Sequence, residues 1–318
     1  GRFSPERFRE QARLPQLKMI ELKLSQGAKP GHGGILPAGK NTPEIAAIRG
    51  VEPGTEVVSP PGHTAFSTPI GLLEFLQELR DWSGGKPVGF KLCIGQPHEF
   101  FAIAKAMVQT QLFPDFIAVD GGEGGTGAAP LEFSNSVGMP FRDGLAHVHN
   151  ALQGFGIREE VRLFASGKIT NGFDLFRALA LGADACYSAR AMMLALGCIQ
   201  ALECNKNVCP TGVATQDPEL VQGLVVADKK FRVANYHKET VHSLLELLAS
   251  AGMRKPSEAR REYIFRRVSM NEFRTYAEIF PYLPVGCMLQ EETVPEWYLR
   301  AWRAARPESF APASPATV

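Results

Sequence analysis

Apolar and polar residues along this chain follow two alternating periods. Short runs rich in β-branched and aromatic residues are separated by longer stretches whose apolar residues recur at helical spacing. Six of the short runs predict strands, at residues 18–24, 56–59, 88–92, 116–120, 161–165 and 184–187. Most are apolar enough to be buried on both faces, as parallel strands are. The alternation therefore predicts βα units around a parallel sheet.

Amphipathic stretches predict the connecting helices at residues 70–82, 98–111, 141–154 and 173–181. Each predicted strand runs into a loop rich in Gly, Ser, Pro or polar residues, such as SPPGHTAFS and DGGEGGTGAAP. In β/α barrels the loops after the carboxyl ends of the strands build the active site, so a parallel (β/α)8 TIM-type barrel is the expected fold. Six strands leave the first two βα units of the barrel outside this chain. The alternative is an open doubly wound sheet, whose nucleotide fingerprint should follow the first strand and does not.

The pattern changes near residue 220. We expect residues 1–219 to form the β/α-barrel domain, with its C-terminal six βα units, and residues 220–305 to form a helical extension. The helices predicted there lie at residues 236–251, 257–267 and 270–279. Residues 306–318 are rich in Pro, Ala and Ser, which predicts a disordered tail.

Charge and hydropathy exclude several classes of partner. The chain has 34 basic and 33 acidic residues, which leaves no electrostatic footprint for nucleic acid or an anionic membrane surface. No apolar run approaches the roughly 20 residues that a membrane-spanning helix needs. A cytoplasmic protein is therefore expected, and membrane attachment through an upstream segment is the alternative that stays open.

Three of the six cysteines, Cys198, Cys204 and Cys209, follow the spacing C-x5-C-x4-C. Such closely spaced thiolates suit a soft metal centre, whereas zinc sites usually add a fourth Cys or His. We favour a cluster with three protein ligands, in its simplest form a three-iron cluster, over three buried thiols that pack as small hydrophobic groups. The other cysteines, each isolated in sequence, are expected to be buried thiols: Cys93, Cys186 and Cys287.

Two features predict a phosphate-bearing ligand. The glycine-rich loop at residues 120–130 would let backbone amides approach a ligand closely. The SGK and SAR turns follow the last two strands, where β/α barrels commonly bind phosphate through backbone amides. Each feature alone could be an ordinary solvated turn. The candidate cofactor-binding positions in these loops are Asp120, Gly125, Thr126, Gly127, Ser166, Gly167, Ser188, Ala189 and Arg190.

A set of basic and amide side chains near the strand ends could bind an anion. Lys91 lies within a central strand, where an ammonium group needs an anionic or strongly accepting partner. Arg49 could hold a carboxylate through two parallel hydrogen bonds. His63, in the SPPGH turn, is either a proton donor or a turn residue. The remaining candidates follow the first strand: Lys23, Gln26 and Lys29.

Taken together, these motifs resemble the synthase domain of glutamate synthase, and most closely the FMN-binding glutamate synthase family. The segments that carry the resemblance are KLSQGAKPGHGG, SPPGH, DGGEGGTGAAP and GC-x5-C-x4-CPTGVATQ. They span about residues 18–217 in one collinear order.

The resemblance implies a β/α barrel that carries FMN beside a 3Fe-4S cluster and reduces 2-iminoglutarate to glutamate. It implies that the three cysteines hold the cluster and that Lys91 lies near flavin N1 and O2, where a cation stabilises the reduced anionic ring. It places Gly167, Ala189 and Arg190 at the FMN phosphate. It implies that four residues face the substrate, with Arg49 binding its carboxylate: Lys23, Gln26, Lys29 and Arg49.

Two departures from the family wording concern the substrate. His32 and Ile35 stand where larger members have Glu and Gln, and Ile35 removes an amide that would contact the oxoacid. An FMN barrel acting on another amino or oxo acid is therefore an alternative, as is a non-catalytic cluster-binding scaffold. The expected partners are a small oxoacid or amino-acid substrate, an electron donor protein or reductase subunit, and an ammonia-supplying glutaminase.

Overall fold

The computed structural model describes residues 3–27, 33–125, 129–130 and 132–313. Within these ranges no helix combines the length and the apolar character needed to cross a bilayer. The strands are β1 (Ile20–Lys23), β2 (Ile35–Leu36), β3 (Val57–Val58), β4 (Val88–Cys93), β5 (Phe116–Asp120), β6 (Arg162–Ser166), β7 (Ala185–Tyr187), β8 (Phe265–Arg267) and β9 (Phe273–Thr275).

The helices confirm most of the amphipathic pattern. They are α1 (Pro5–Ala12), α2 (Pro43–Arg49), α3 (Pro69–Trp82), α4 (Pro97–Thr110), α5 (Phe141–Gly154), α6 (Gly172–Ala180), α7 (Arg190–Leu196), α8 (Pro218–Val221), α9 (Val226–Ser250), α10 (Tyr276–Ile279) and α11 (Glu296–Ala304). Local sequence explains where the crossover helices begin. Thr68 caps α3 by accepting from the Gly71 amide, and Pro69 occupies the first turn, where no donor is lost.

Five parallel strands form the central sheet in the order β1-β4-β5-β6-β7. Each strand pairs with the next sheet strand along the chain, so the order never reverses. A doubly wound sheet must reverse at a switch point, and the open-sheet alternative is therefore excluded. The expected β/α-barrel topology is confirmed for these five strands.

The sheet curls strongly enough for its two edge strands to interact. The Tyr187 hydroxyl of β7 donates to the Glu21 carboxylate of β1 at 3.0 Å. Rings from the intervening strands fill the concave side: Phe116 stacks on Phe164 at 4.9 Å, and Phe164 lies 5.6 Å from Tyr187. A flat sheet could not bring β1 and β7 together, so the five strands form an arc of a barrel. Helices α3 to α6 cover its convex side with fully buried side chains such as Leu72, Phe101 and Leu145.

One predicted sheet strand is wrong. Within residues 56–59, only Val57 and Val58 are extended, and they pair antiparallel with Ile35 and Leu36 outside the parallel sheet. Val58 is 61% exposed, and the two prolines after Ser59 cannot donate ladder hydrogen bonds. The parallel sheet of the described residues therefore has five strands rather than six.

The C-terminal region also differs from its prediction. Helix α9 begins at Val226, ten residues before the predicted start, but residues 257–279 are not two long helices. They contain 3-10 turns, the antiparallel pair β8·β9 and the short α10. The backbone reverses at residues 268–272, where the Val268 amide donates to the Glu272 carbonyl. The residues on either side of this turn therefore form a β-hairpin instead of two helices.

The start of the predicted disordered tail packs on the domain. Arg306 and Ser309 form an isolated bridge, and Phe310 lies against the hydrophobic core. This aromatic contact gives residues 306–313 a fixed position that a Pro- and Ala-rich composition does not suggest. Residues 314–318 lie outside the described ranges.

Arg261 joins the extension to the barrel and is fully buried. Its guanidinium donates to Asn150 Oδ1 at 3.1 Å and to the carbonyls of Phe280 at 2.6 Å and Leu181 at 3.2 Å. These neutral acceptors belong to α5, to the end of α6 and to the extension. Arg261 therefore satisfies buried polar groups from three segments at once.

We predict that Arg261→Ala lowers the free energy of unfolding by at least about 3 kcal/mol, because several buried acceptors lose their donor. Urea denaturation measures the change. Arg260→Ala is the matched control, since among the described residues the exposed Arg260 side chain bonds only to the neighbouring carbonyls of Ser257 and Ala259, and it should cost about 0.5 kcal/mol. Equal losses in the two variants would contradict the role given to Arg261.

Candidate functional site

A cavity of about 390 Å³ opens beside the carboxyl end of β1. It brings together three of the residues predicted to face a substrate, Lys23, Gln26 and Arg49, and adds Ile35 to the wall. The Lys23 amine donates to Gln26 Oε1 at 2.5 Å. Lys29 and His32, which were also singled out, lie outside the described residues. The cavity thus presents amide and cationic groups beside one apolar side chain.

Arg49 reaches this cavity from the last residue of α2. The helix ends there because Gly50 adopts a left-handed conformation with φ of 67°. The buried Asn41 lies just before α2 and joins the two ends of the helix, because its side-chain amide donates to the carbonyls of Glu52 at 2.7 Å and Thr55 at 2.9 Å. Arg49 is therefore carried on a short helix with fixed ends.

Beside the cavity, the sheet register pairs Asp120 with Ser166, and Lys91 pairs with Ala118, two residues before Asp120 on the same face of the sheet. The Lys91 amine lies 3.2 Å from Asp120 Oδ2 and 3.4 Å from Ser166 Oγ. Asp120 also accepts from the amides of Gly27 at 3.0 Å and Gly121 at 3.1 Å. The acceptor that Lys91 needs is thus a carboxylate of the next strand.

Cys93 ends the strand that carries Lys91, and its thiol is buried as predicted. Burial raises the pKa of Cys93 to about 12, and the nearby carboxylates of Asp120 and Glu123 act in the same direction. This thiol therefore stays protonated at neutral pH. Glu123, which sequence reasoning did not single out, accepts from the Phe141 amide at 2.8 Å and ties the glycine-rich loop to the start of α5.

The loops after β6 and β7 lie next to each other and present backbone donors. Among the described residues, none accepts a hydrogen bond from the amides of Gly167, Lys168, Ser188 or Ala189. Arg190 reaches across to the glycine-rich loop and donates to the Gly125 carbonyl at 2.9 Å. This donor set fits a phosphate group. Thr126 and Gly127, two further candidates, lie outside the described ranges.

Gly167 keeps this pair of loops close to α5. A Cβ atom at Gly167 would lie 2.8 Å from the Phe141 ring, so a side chain would push the loop outward. Ser188 fixes the neighbouring loop by donating to the Ile169 carbonyl at 2.9 Å. The distance between the SGK turn after β6 and the SAR turn after β7 therefore depends on Gly167 and on Ser188.

Residues 198–215 form what we call the cysteine loop, and all three of its thiols are free. Gln200, Leu202 and Asn207 adopt left-handed backbone conformations, with φ between 58° and 66°. In the described residues, no group of three His, Cys, Asp or Glu side chains is placed to hold a single metal ion. An iron-sulfur cluster differs from such a site because its thiolates bind separate irons.

The surroundings of Cys209 favour a thiolate. Burial opposes ionisation, but the Thr211 hydroxyl and the amides of Ala214, Thr211 and Val213 lower the pKa of Cys209 to about 7. The Gln200 amide likewise donates to Cys198 Sγ at 3.5 Å. Donors directed at sulfur are a feature of iron-sulfur sites, so the donor set fits a cluster.

Sequence reasoning missed Lys40, which donates to the carbonyls of Cys204 at 2.5 Å and Ala214 at 2.8 Å. These acceptors are more than 160 residues away in sequence, and no local motif predicts such a contact. His63 is exposed, and its Nδ1 accepts from the Ala65 amide at 3.3 Å as a turn residue does. It also lines a neighbouring cavity of about 750 Å³ that shares Lys23 with the first.

A family model and the relatives found by sequence agree on one family. Residues 2–254 match the model described as the conserved region in glutamate synthase. The chain is 43% identical over 267 residues to the glutamate synthase large subunit-like protein YerD of Bacillus subtilis, covering 84% of this chain and 50% of that protein. It is 41% identical over 258 residues to the archaeal glutamate synthase [NADPH] of Methanocaldococcus jannaschii, covering 80% and 49%.

The chain therefore spans about half the length of these two relatives. Among solved structures, a mandelate oxidase matches 86% of this chain and 60% of its own at a TM-score of 0.45 and 17% identity.

We predict that Gly27→Ala destabilises the protein by about 3 kcal/mol, since the new Cβ would lie 1.7 Å from the Gly121 carbonyl oxygen and displace the amide that Asp120 accepts from. Urea denaturation again provides the measurement. Gly62→Ala is the control, because no atom of the described residues lies within 4 Å of its Cβ position. If Gly27→Ala were as stable as Gly62→Ala, the close approach of the two loops would be wrong.

Proposed function

Because this chain belongs to the glutamate synthase family, we propose that it is an FMN-dependent oxidoreductase that reduces 2-iminoglutarate to L-glutamate. The imine forms from 2-oxoglutarate and ammonia. The observation that carries the proposal is the cavity that gathers Lys23, Gln26 and Arg49 beside the Lys91–Asp120 pair. We place the reaction in the cytoplasm.

The substrate carries two carboxylates, and the cavity offers matching cations. Arg49 binds one carboxylate through its two parallel N–H donors, as arginine does where planar recognition is needed. Lys23, oriented by Gln26, binds the second carboxylate or the reacting carbon's substituent. The family resemblance assigns Lys29 to the same substrate-binding role. Holding both ends of the substrate fixes the reacting carbon relative to the cofactor.

We assign the neighbouring strand ends to FMN. Lys91, kept in place by Asp120 and Ser166, lies against the flavin ring. The amides of Gly167 and Ala189, together with Arg190, hold the phosphate. Gly125 and the hydroxyl of Ser188 complete the cofactor contacts, and Thr126 and Gly127 are assigned to the same role from the sequence motif alone. When bound, FMN supplies two-electron chemistry and a 3Fe-4S cluster supplies single electrons.

Cys198, Cys204 and Cys209 hold the cluster in this proposal, supported by the donors that surround Cys209 and Cys198. A cluster held there would supply single-electron chemistry, and its electrons would come from a donor protein or a reductase subunit. Ammonia comes from a glutaminase partner or directly from solution. Both partners are inferred from the chemistry of the reaction.

Ile35 favours a second candidate, an FMN barrel that reduces or oxidises a different amino or oxo acid. Its side chain is 46% exposed and lies in the cavity wall with Arg49 and Lys23. An apolar group at this position cannot donate to a substrate oxygen. A substrate with an apolar side chain in place of the second carboxylate would lose less binding free energy at this position.

We predict that Cys204→Ser removes the broad visible absorption and the electron paramagnetic resonance signal of the cluster but leaves the flavin bands. A serine hydroxyl is a poorer ligand for iron than a thiolate, and the proposed phosphate donors are unchanged. Cys287→Ser is the control, since Cys287 lies in the C-terminal extension. A cluster signal that survives in Cys204→Ser would remove the assignment.

The substrate is tested by anaerobic single-turnover reoxidation of photoreduced, FMN-loaded protein with 2-oxoglutarate plus ammonium. We predict that Ile35→Gln raises the rate with 2-oxoglutarate relative to 2-oxoisovalerate by about tenfold, the effect of one added hydrogen bond. Ile48→Gln serves as the control because Ile48 is 72% exposed and outside the cavity.

Reoxidation by 2-oxoisovalerate alone in the wild type would favour the second candidate. No reoxidation by any oxoacid would contradict both.

A further inference from the structure

Residues 33–61 leave the barrel between β1 and α3, and we call them the 33–61 excursion. The excursion contains β2, β3, α2 and the 3-10 turn Ala38–Lys40. It forms one side of the substrate cavity through Ile35, Leu36 and Arg49. The shape of the cavity therefore depends on where the excursion lies.

The same excursion is bound to the cysteine loop. The half-buried Lys40 donates to the carbonyls of Cys204 at 2.5 Å and Ala214 at 2.8 Å. Asn207 of the loop donates back to the Gly39 carbonyl at 3.3 Å. Hydrogen bonds from an ionised donor are roughly twice as strong as neutral ones, so Lys40 is the stronger of these ties.

A short chain of fixed contacts connects Lys40 with Arg49. The next residue, Asn41, is 2% exposed and bonds to the carbonyls of Glu52 and Thr55 beyond α2. Thr42 then caps α2 by accepting from the Ile45 amide at 3.3 Å. Arg49 is the last residue of that helix. A displacement of Lys40 therefore moves both ends of α2 and the guanidinium that it carries.

From these contacts we propose that Lys40 is a positioning residue that couples the cysteine loop to the substrate cavity. The inference rests on the proposed function, because it concerns the cluster and the oxoacid assigned there. Coupling between two sites is reciprocal: if substrate binding changes the reduction equilibrium of the cluster, the oxidation state of the cluster changes substrate affinity by the same factor.

The test is a redox titration of the cluster in the holoprotein, followed by electron paramagnetic resonance, with and without saturating 2-oxoglutarate. In the wild type we expect the oxoacid to change the reduction equilibrium at least about fivefold, which is about 40 mV at 59 mV per tenfold. Lys40→Met should retain the cluster signal and reduce this change to less than about twofold. Lys40→Arg, which keeps a charged donor, should restore the change.

Lys206→Met is the matched control. Lys206 lies between Cys204 and Cys209 and pairs with Glu203 at 2.9 Å. Within the described part of the chain it makes no hydrogen bond to the excursion. This variant removes the same charge from beside the cluster, so it can move the potential itself, but the change caused by 2-oxoglutarate should persist. Loss of that change in Lys206→Met as well would overturn the proposal in favour of a general charge effect.

If Lys40→Met loses the cluster, Lys40→Gln provides the second variant, since its neutral amide keeps one donor and should give an intermediate change. A full change in Lys40→Met or Lys40→Gln would overturn the proposal and leave the proposed function intact. The absence of any cluster signal in the wild type would overturn the cofactor assignment and the coupling together. A normal cluster whose potential ignores 2-oxoglutarate would overturn the coupling alone.

Discussion

The arrangement of the site depends on the hydrogen bonds and the ion pair that the Asp120 carboxylate accepts. This carboxylate accepts from the loop after β1 through Gly27, from its own loop through Gly121, and from β4 through Lys91, which in turn reaches Ser166 on β6. Four strand ends are thereby held within hydrogen-bond distance of one another. With only 4% of its side chain exposed, Asp120 would be costly to bury without these donors. The same contacts therefore satisfy the buried charge and position the cation proposed to face the flavin.

Stability and chemistry are assigned to opposite ends of the barrel. The polar side chains of the candidate site lie at the carboxyl ends of the strands, whereas Arg261 fastens the extension to the end of α5 and to the segment before β7. This division is typical of β/α barrels, in which loops at one end can change without loss of the scaffold. It explains how a long irregular excursion is accommodated after β1.

Much of the scaffold could be predicted from sequence because its periods are local. Residues 141–154 form a helix with the predicted bounds, and the last sheet strands pair as consecutive βα units. The prediction of a sheet strand at residues 56–59 was wrong because its two valines have the β-branched character of a sheet strand but pair with Ile35 and Leu36 outside the parallel sheet. Lys23, Gln26 and Arg49 could be grouped in advance from strand-end loops, whereas Lys40 could not, since its partners come from a loop distant in sequence.

The hydrogen bond between Tyr187 and Glu21 has a consequence for the interior of the barrel arc. It joins the first and last strands of the described sheet on the concave side, where the stacked rings of Phe116 and Phe164 also lie. The space that the arc encloses is therefore filled by a polar contact as well as by aromatic packing, and a side chain that replaced Tyr187 would have to leave the Glu21 carboxylate a donor there.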